Sequence, residues 1–485
     1  MIEGTERLIL GICVATGFTT LLDQSVFGLV VSRLRDGLHA STAGVQLIVA
    51  IYSVAFGVAL VPAGRLGDII GRRRLFLVGL TMFSGFSLLG GLAQTAHTAI
   101  AARLLQGLGA GIINTQVLGL IQDVFHGQRR ARALGLYAVA GGLSGLAGPL
   151  FGGAILTWAS PDLGWRLLFL VNVPFGAAVF ALGWRYLPRG RLQNGRFSLD
   201  AGGLILLAIL TLALTGATLV GADLPMSAHA CLTAAIVCLV LLVAWERRYA
   251  RGGGSPIFAP GLIGSPGYVL GTCVAMCQFA SGLTLGMIST LFFLNGIGIG
   301  ALMFACLSAS SALGMILSSR QSWRFVARFG RPGIVVAIAC HALLALLQGL
   351  SVAVLPVHEI VLLYPLIGLL QGLSSGLIHA PNQALTLAAA GDTEGRGLAA
   401  GLLQLSQRLA CSVGMSWGTG VFLAAMAGGA GLAGTRAAFI RALHLVLIFS
   451  CGALLAALVD ARRRRVADTD PGSEYYATGA DIEGS

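Results

Sequence analysis

The sequence predicts an all-α polytopic membrane protein, and three observations carry that prediction. Of its 485 residues, 56% are apolar and 10% are charged, too little charge to cover a soluble protein of this length. Apolar runs of roughly 20 residues, each able to cross ~30 Å of hydrocarbon as a helix, recur along the chain, where a barrel would show short alternating strands. The formal net charge of +12 comes from arginines gathered at the ends of those runs, an orientation signal rather than a nucleic-acid footprint.

Arginine, glycine and proline punctuation divides the runs into fourteen expected spans. The first, 8–32, carries Asp23 and lacks a small-residue cleavage site, so it reads as a span and not as a cleaved signal. The second, 43–63, leads into the linker "GRLGDIIGRRRLF", Gly64 to Phe76, the most charged stretch among the spans, and the third follows at 75–95. The fourth, 98–120, carries Arg103; the fifth, 133–157, is rich in glycine around Gly148 and Pro149; the sixth, 164–187, runs into the cluster Arg185, Arg189, Arg191 and Arg196. Spans at 200–221 and 228–245 end at Arg247 and Arg248. The remainder are expected at 266–292, 298–318, 332–353, 359–383, 397–424 and 437–459, and the tail 461–485, basic then acidic without apolar periodicity, reads as disordered.

Alternate linkers hold most of the arginines, including Arg65, Arg72, Arg73, Arg74, Arg129, Arg130, Arg132, Arg320, Arg324, Arg328 and Arg331, whereas the intervening ones hold only Arg33, Arg35, Arg166, Arg436 and Arg441. The first set is therefore expected in the cytoplasm, with both termini on that side of a cell membrane. The nine cysteines all fall in apolar runs without metal-ligand spacing and read as packing residues.

Ionisable groups inside spans cost several kcal/mol unless paired or hydrated, which makes them functional candidates. Asp23 and Arg103 fall at matching depths on spans that run in opposite directions, so they are expected to pair or to share water. Around them, helical spacing aligns Thr19, Asp23 and Phe27 on span 1, Arg103, Gln106 and Asn114 on span 4, Gln371, Ser375 and His379 on span 12, and Gln404 with Arg408 on span 13. These stripes suggest a shared polar cavity; the alternatives are a structural ion pair and interhelical hydrogen bonding. There is no HExxH or P-loop and no paired in-membrane carboxylates, so no enzyme, metal, cofactor or ATP use is expected.

The linker "GRLGDIIGRRR" resembles the loop 2–3 signature of the major facilitator superfamily, with Gly64, Asp68, Gly71, Arg72 and Arg73 in matching places. "RLLQGLGAG" from Arg103 resembles the family's span 4 motif. "GLSGLAGPLFGG", with Gly145, Gly148, Pro149, Gly152 and Gly153, resembles its span 5 antiporter motif. "GWRLLFLVNVPFG" from Gly164 and "LDQSVFG" from Leu22 are similar to signatures of the fourteen-span drug:proton antiporter branch. The span 1 motif departs from the family pattern at Gly28 and Ser32, as does span 2 at Leu47. The resemblance implies two six-helix bundles, 1–198 and 251–460, joined by two additional central transmembrane helices in 199–250. A degenerate echo of the linker, "WRFVARFGRP", sets Gly330 on Gly71, Arg331 on Arg72 and Ala327 on Asp68.

What the resemblance implies about function is secondary active transport: export of small amphipathic or lipophilic compounds, drug-like or metabolite, in exchange for protons by alternating access. Asp23 would be the proton-responsive group and Arg103 its modulator, and Asp68 would latch the halves against the start of span 13. One carboxylate in a weakly acidic cavity favours neutral or monocationic compounds. A dedicated exporter or importer of one metabolite, and a non-transporting sensor, are the competing readings. The expected partners are the substrate, protons and the lipid bilayer, with no nucleic acid.

Overall fold

The computed structural model describes residues 2–125, 127–188, 200–216, 228–254, 256–258, 260–319, 321–390, 396–427 and 431–468, and the regular structure among them is helical. The first group of helices is α1 (Ile2–Gly37), α2 (Thr42–Ile70), α3 (Arg72–Gly91), α4 (Ala96–Val124), α5 (Gly127–Trp158), α6 (Pro161–Leu170) and α7 (Asn172–Tyr186). Next come α8 (Ala201–Gly216), α9 (Ala228–Arg251) and the single turn α10 (Pro260–Ile263). The last group is α11 (Pro266–Leu291), which runs into a π turn over Phe292–Ile297, α12 (Ala301–Ser319), α13 (Ser322–Val354), α14 (Val357–Ala388), α15 (Arg396–Ala427) and α16 (Gly431–Asp468). Twelve segments of the described residues are long and apolar enough to cross a membrane, and shorter apolar stretches occupy Ile51–Leu60 within α2 and Ala201–Leu214 within α8.

Local chemistry sets the ends. The Ser41 hydroxyl accepts the Gly44 N–H at 3.1 Å at the head of α2, Thr95 accepts from Thr98 at 3.2 Å at the head of α4, and Ser160 precedes Pro161 at the head of α6, each filling a donor or a position the first turn leaves open. The expected sixth span is broken at Val171 into α6 and α7. Pro174 has no N–H to return to the carbonyl of residue 170, so the ladder lapses there. Helix α16 continues through residues 461–468, part of the segment assigned to the tail, because arginines are good helix formers and suit the negative end of a helix dipole. Residues 469–485 lie outside the described set.

The same packing recurs in the two groups. Helix α4 packs on α2 and α3, and α14 on α12 and α13; α1 lies along α5 and α7, and α11 along α15 and α16; α3 meets α7 as α13 meets α16. Between the groups α2 lies along α15 and α5 along α12, again as a matched pair. Helices α8 and α9 pack together, and α8 touches α2 and α15, where the Trp417 indole donates to the Leu214 carbonyl at 2.9 Å. One apolar cluster joins Leu34, Trp165 and Phe169 to Phe292, Phe293 and Phe439, and a second joins Phe56, Phe76 and Leu120 to Tyr268, Leu402 and Leu405.

Candidate functional site

Helices α1, α3, α4 and the α6–α7 break converge on one carboxylate. Asp23 is 3% exposed and Arg103 is 1% exposed. Arg103 Nη1 donates to Asp23 Oδ2 at 2.7 Å and to Gln106 Oε1 at 2.9 Å. The other carboxylate oxygen, Oδ1, accepts from Asn172 Nδ2 at 2.7 Å and Gln106 Nε2 at 3.2 Å. Both amides also donate to Ser87 Oγ at 3.1 Å, and Ser87 passes its own proton to the Phe169 carbonyl at 2.7 Å. The guanidinium lies 4.1 Å over the Tyr52 ring and 5.7 Å from that of Phe169. A buried ion pair of this kind is compensated only when its remaining donors and acceptors are met, and here the carboxylate accepts three hydrogen bonds.

Asp23 and Arg103, expected to pair or to share water, are in direct contact; Gln106, expected to line a substrate cavity, bonds both of them; Ser87 and Asn172 were missed. Asn172 stands inside the quoted segment "GWRLLFLVNVPFG", two residues before the proline that breaks the helix, and a polar residue beside a helix break inside a span was the available signal. Ser87 carried none, since a lone serine in an apolar run usually bonds its own helix.

The other described positions expected to line the cavity have separate partners. Thr19 bonds the Ala15 carbonyl of its own helix at 2.9 Å, and Asn114 donates to the Tyr137 hydroxyl at 2.8 Å. Gln371 donates to Gln348 Oε1 at 3.0 Å, Ser375 lies 3.5 Å from His341 Nδ1, and His379 meets the Phe279 ring edge-on at 4.6 Å. Gln404 is half-buried on α15. Arg408 reaches from α15 to Gln24 Oε1 on α1 and lies 4.4 Å over the Phe56 ring of α2. The side chains of Phe27, Asp68 and Pro149 fall outside the described residues, and with Asp68 the expected latch contact.

A neutral counterpart of the Asp23 cluster sits in the second group of helices. Gln348 Nε2 donates to Ser289 Oγ at 2.9 Å and Gln348 Oε1 accepts from Gln371, on α11, α13 and α14, the helices that pack as α1, α3 and α4 do. The segments "LLQGLGAG" from Leu104 and "LLQGLSSG" from Leu369 place Gln371 on Gln106. Gly368 then stands where Arg103 does in that segment, and Ser289 lies on α11, the helix that packs as α1 does. This second cluster holds a hydrogen-bonded glutamine without an ion pair among the described residues.

At the linker between α2 and α3, Gly71 takes φ 94°, and Gly330 takes φ 58° at the kink in α13, conformations costly for residues with a Cβ. Arg72 Nε pairs with Asp123 Oδ2 at 2.7 Å at the end of α4, and Arg331 pairs with Asp460 of α16. Arg73 donates to the Trp184 carbonyl. A Cβ on Gly64 would lie 3.3 Å from Thr115, and one on Gly148 would collide with Ser25, so the span 5 motif admits α1 closely there. Gly145 has open space about it, and Gly152 and Gly153 are buried.

The family model of the Major Facilitator Superfamily matches residues 13–415. The chain is 31% identical over 84% of its length, and 71% of the relative's, to a probable actinorhodin transporter of Streptomyces coelicolor. It is 27% identical over 83% of its length, and 74% of the relative's, to the multidrug resistance protein Stp of Mycobacterium tuberculosis. Among solved structures, the xylose transporter XylE from E. coli superposes with a TM-score of 0.60 at 14% identity, covering 94% of this chain and 99% of that one, a likeness of fold.

Proposed function

The chain belongs to the Major Facilitator Superfamily and is a multi-pass membrane transporter, not an enzyme; from that premise we propose that it exports small amphipathic or lipophilic compounds in exchange for protons by alternating access. The observation that supports the coupling is the buried Asp23 cluster. Its carboxylate can be neutralised by Arg103 or by a proton, and a shift of α1 against α4 by an ångström or two would trade one for the other. Asp23 is the one carboxylate among the described side chains in the middle turns of the spans, and the matching Ser289–Gln348–Gln371 network is neutral, which favours Asp23 over His379 as proton carrier. In this reading α1–α7 and α11–α16 are the two moving bundles, α8 and α9 supply the two additional spans of a fourteen-span chain in the cell membrane, both termini face the cytoplasm, and Asp68 closes the cytoplasmic face.

The test is proton flux in vesicles. Purified protein in liposomes carrying a pH-sensitive dye should release protons from an acidic lumen when a transported compound is supplied outside, and the compound should accumulate against its gradient. A panel of drug-like compounds that moves without proton movement would refute the coupling.

A further inference from the structure

Resting on the export reading, we propose that the substrate carries a negative charge and that Arg408 recognises it. Among the described residues, the middle turns of the spans hold three ionised side chains: Asp23, Arg103 and Arg408. The first two neutralise each other at 2.7 Å. Arg408 has only neutral partners, the Gln24 amide oxygen and the Phe56 ring, and no described carboxylate forms an ion pair with it. Asp68 is twelve residues along α2 from Phe56, on the order of 18 Å away at 1.5 Å per residue. The described side chains at the centre therefore carry one net positive charge, where an uncompensated cation costs several kcal/mol.

Arg408 also stands at the seam between the two groups of helices. A Cβ on Gly57 of α2 would lie 3.6 Å from Arg408 Cβ, while Gln24 belongs to α1. If the groups part during transport, the amide and the ring move away together and the guanidinium is left to whatever enters between them. A carboxylate, sulfonate or phenolate answers that need with two parallel charge-assisted hydrogen bonds. The Phe56 ring, which the guanidinium covers at 4.4 Å, is uncovered by the same parting and can take an aromatic body. The acid–ring combination selects an amphipathic organic anion, against the expectation of neutral or cationic compounds drawn from Asp23 alone.

Three probes with one body test it: pyrenebutyrate, its neutral amide and the corresponding pyrenylbutylammonium, titrated by fluorescence anisotropy onto the full chain in uncharged detergent. The butyrate should bind about tenfold or more tighter than the amide, as one charge-assisted contact warrants, and the ammonium weakest. Arg408→Gln should erase that preference while amide affinity changes less than about threefold, a margin below one neutral hydrogen bond. Arg408→Lys should keep it in part. Gln24→Glu retains Arg408 but supplies an internal counter-ion, and should erase the preference as well, which guards against misfolding of the Arg408→Gln protein. Equal affinities in the unmodified chain, or a preference that survives both charge-cancelling variants, would overturn the inference. Added phosphatidylglycerol that displaces pyrenebutyrate would identify the anion as a lipid headgroup; failure to displace it would identify a free compound. Proton-coupled movement of the amide with no anion preference would leave the export reading standing, whereas anion binding without movement of any probe would sink export alone.

Discussion

Asp23 accepts hydrogen bonds from three side chains on two other helices, so its replacement tests geometry and charge separately. Asp23→Asn keeps the shape and holds the position permanently uncharged. Gradient-driven export should fall to background in that variant while binding of a transported compound persists, and Asp23→Glu, which still titrates, should retain part of the activity. Export by the asparagine variant at the unmodified rate would place the proton elsewhere. Asn172 makes a different prediction, because it holds the carboxylate at 2.7 Å without being able to titrate. Asn172→Leu leaves a buried acceptor short of one donor, which costs about 1–3 kcal/mol. Its thermal unfolding temperature in detergent should drop measurably, with transport slowed but still driven by the proton gradient. An unchanged unfolding temperature would remove Asn172 from the network.

At the scale of helices, the glycines of α4 show why a short motif specifies so much. Positions 107 and 111 are one turn apart on the face toward α2, where an added Cβ would come within 2.5 Å of the Tyr52 carbonyl oxygen in the first case and would strike that of Phe56 in the second. Gly109, on the other side, faces α3, with Phe83 N at 2.7 Å from its would-be Cβ. The helix is thus pressed between two neighbours, near enough for Arg103 and Gln106 to reach Asp23 and Ser87. Gly107→Val forces backbone against side chain and should cost about 2 kcal/mol or more, seen as poor yield and an unfolding temperature well below that of the parent. Gly145→Ala, in open space, should be neutral in the same assay. Equal behaviour of the two would mean that α2 and α4 are not so closely packed.

Considered as a whole, the chain contacts itself across the seam along α2 and α15 and along α5 and α12, and transport by alternating access requires those seams to part. In a cysteine-free background, Gly57→Cys with Leu405→Cys places two thiols on opposite sides of the first seam, where a Gly57 Cβ would lie 3.2 Å from the Leu405 side chain. Joining them with a short reducible thiol reagent should stop transport, and reduction should restore it. Undiminished transport with the link in place would exclude motion at this seam. Topology is tested on exposed positions: a cysteine replacing Gln321, in the arginine-rich linker before α13, should react only with cytoplasmic reagents, and one replacing Ser160, before α6, only with outside ones. Reversal at either site would overturn the arginine assignment.

The amino-acid sequence alone determined that this is a helical membrane protein, where most helices run, and that Asp23 and Arg103 belong together, because hydropathy, arginine placement and the cost of buried charge are local or pairwise properties that a linear text displays. It also held the echo that sets Gly330 on Gly71, and both prove to be the positive-φ turns ahead of a helix. What only the tertiary structure decided is which polar side chains meet. Gln371 and Ser375 share a helix face with His379 on paper, yet they turn to Gln348 and His341 of α13, while Asn172 joins Asp23 across many residues of chain and Ser87 accepts from Asn172 and Gln106 beside it. Arg408 shows the same limit: its spacing placed it on a polar stripe, but that its partners are an amide and an aromatic ring, and no described carboxylate, depends on how α15 packs against α1 and α2. Helical periodicity fixes the face a residue occupies, while the rotation of that helix against its neighbours follows from side-chain packing summed over the whole bundle.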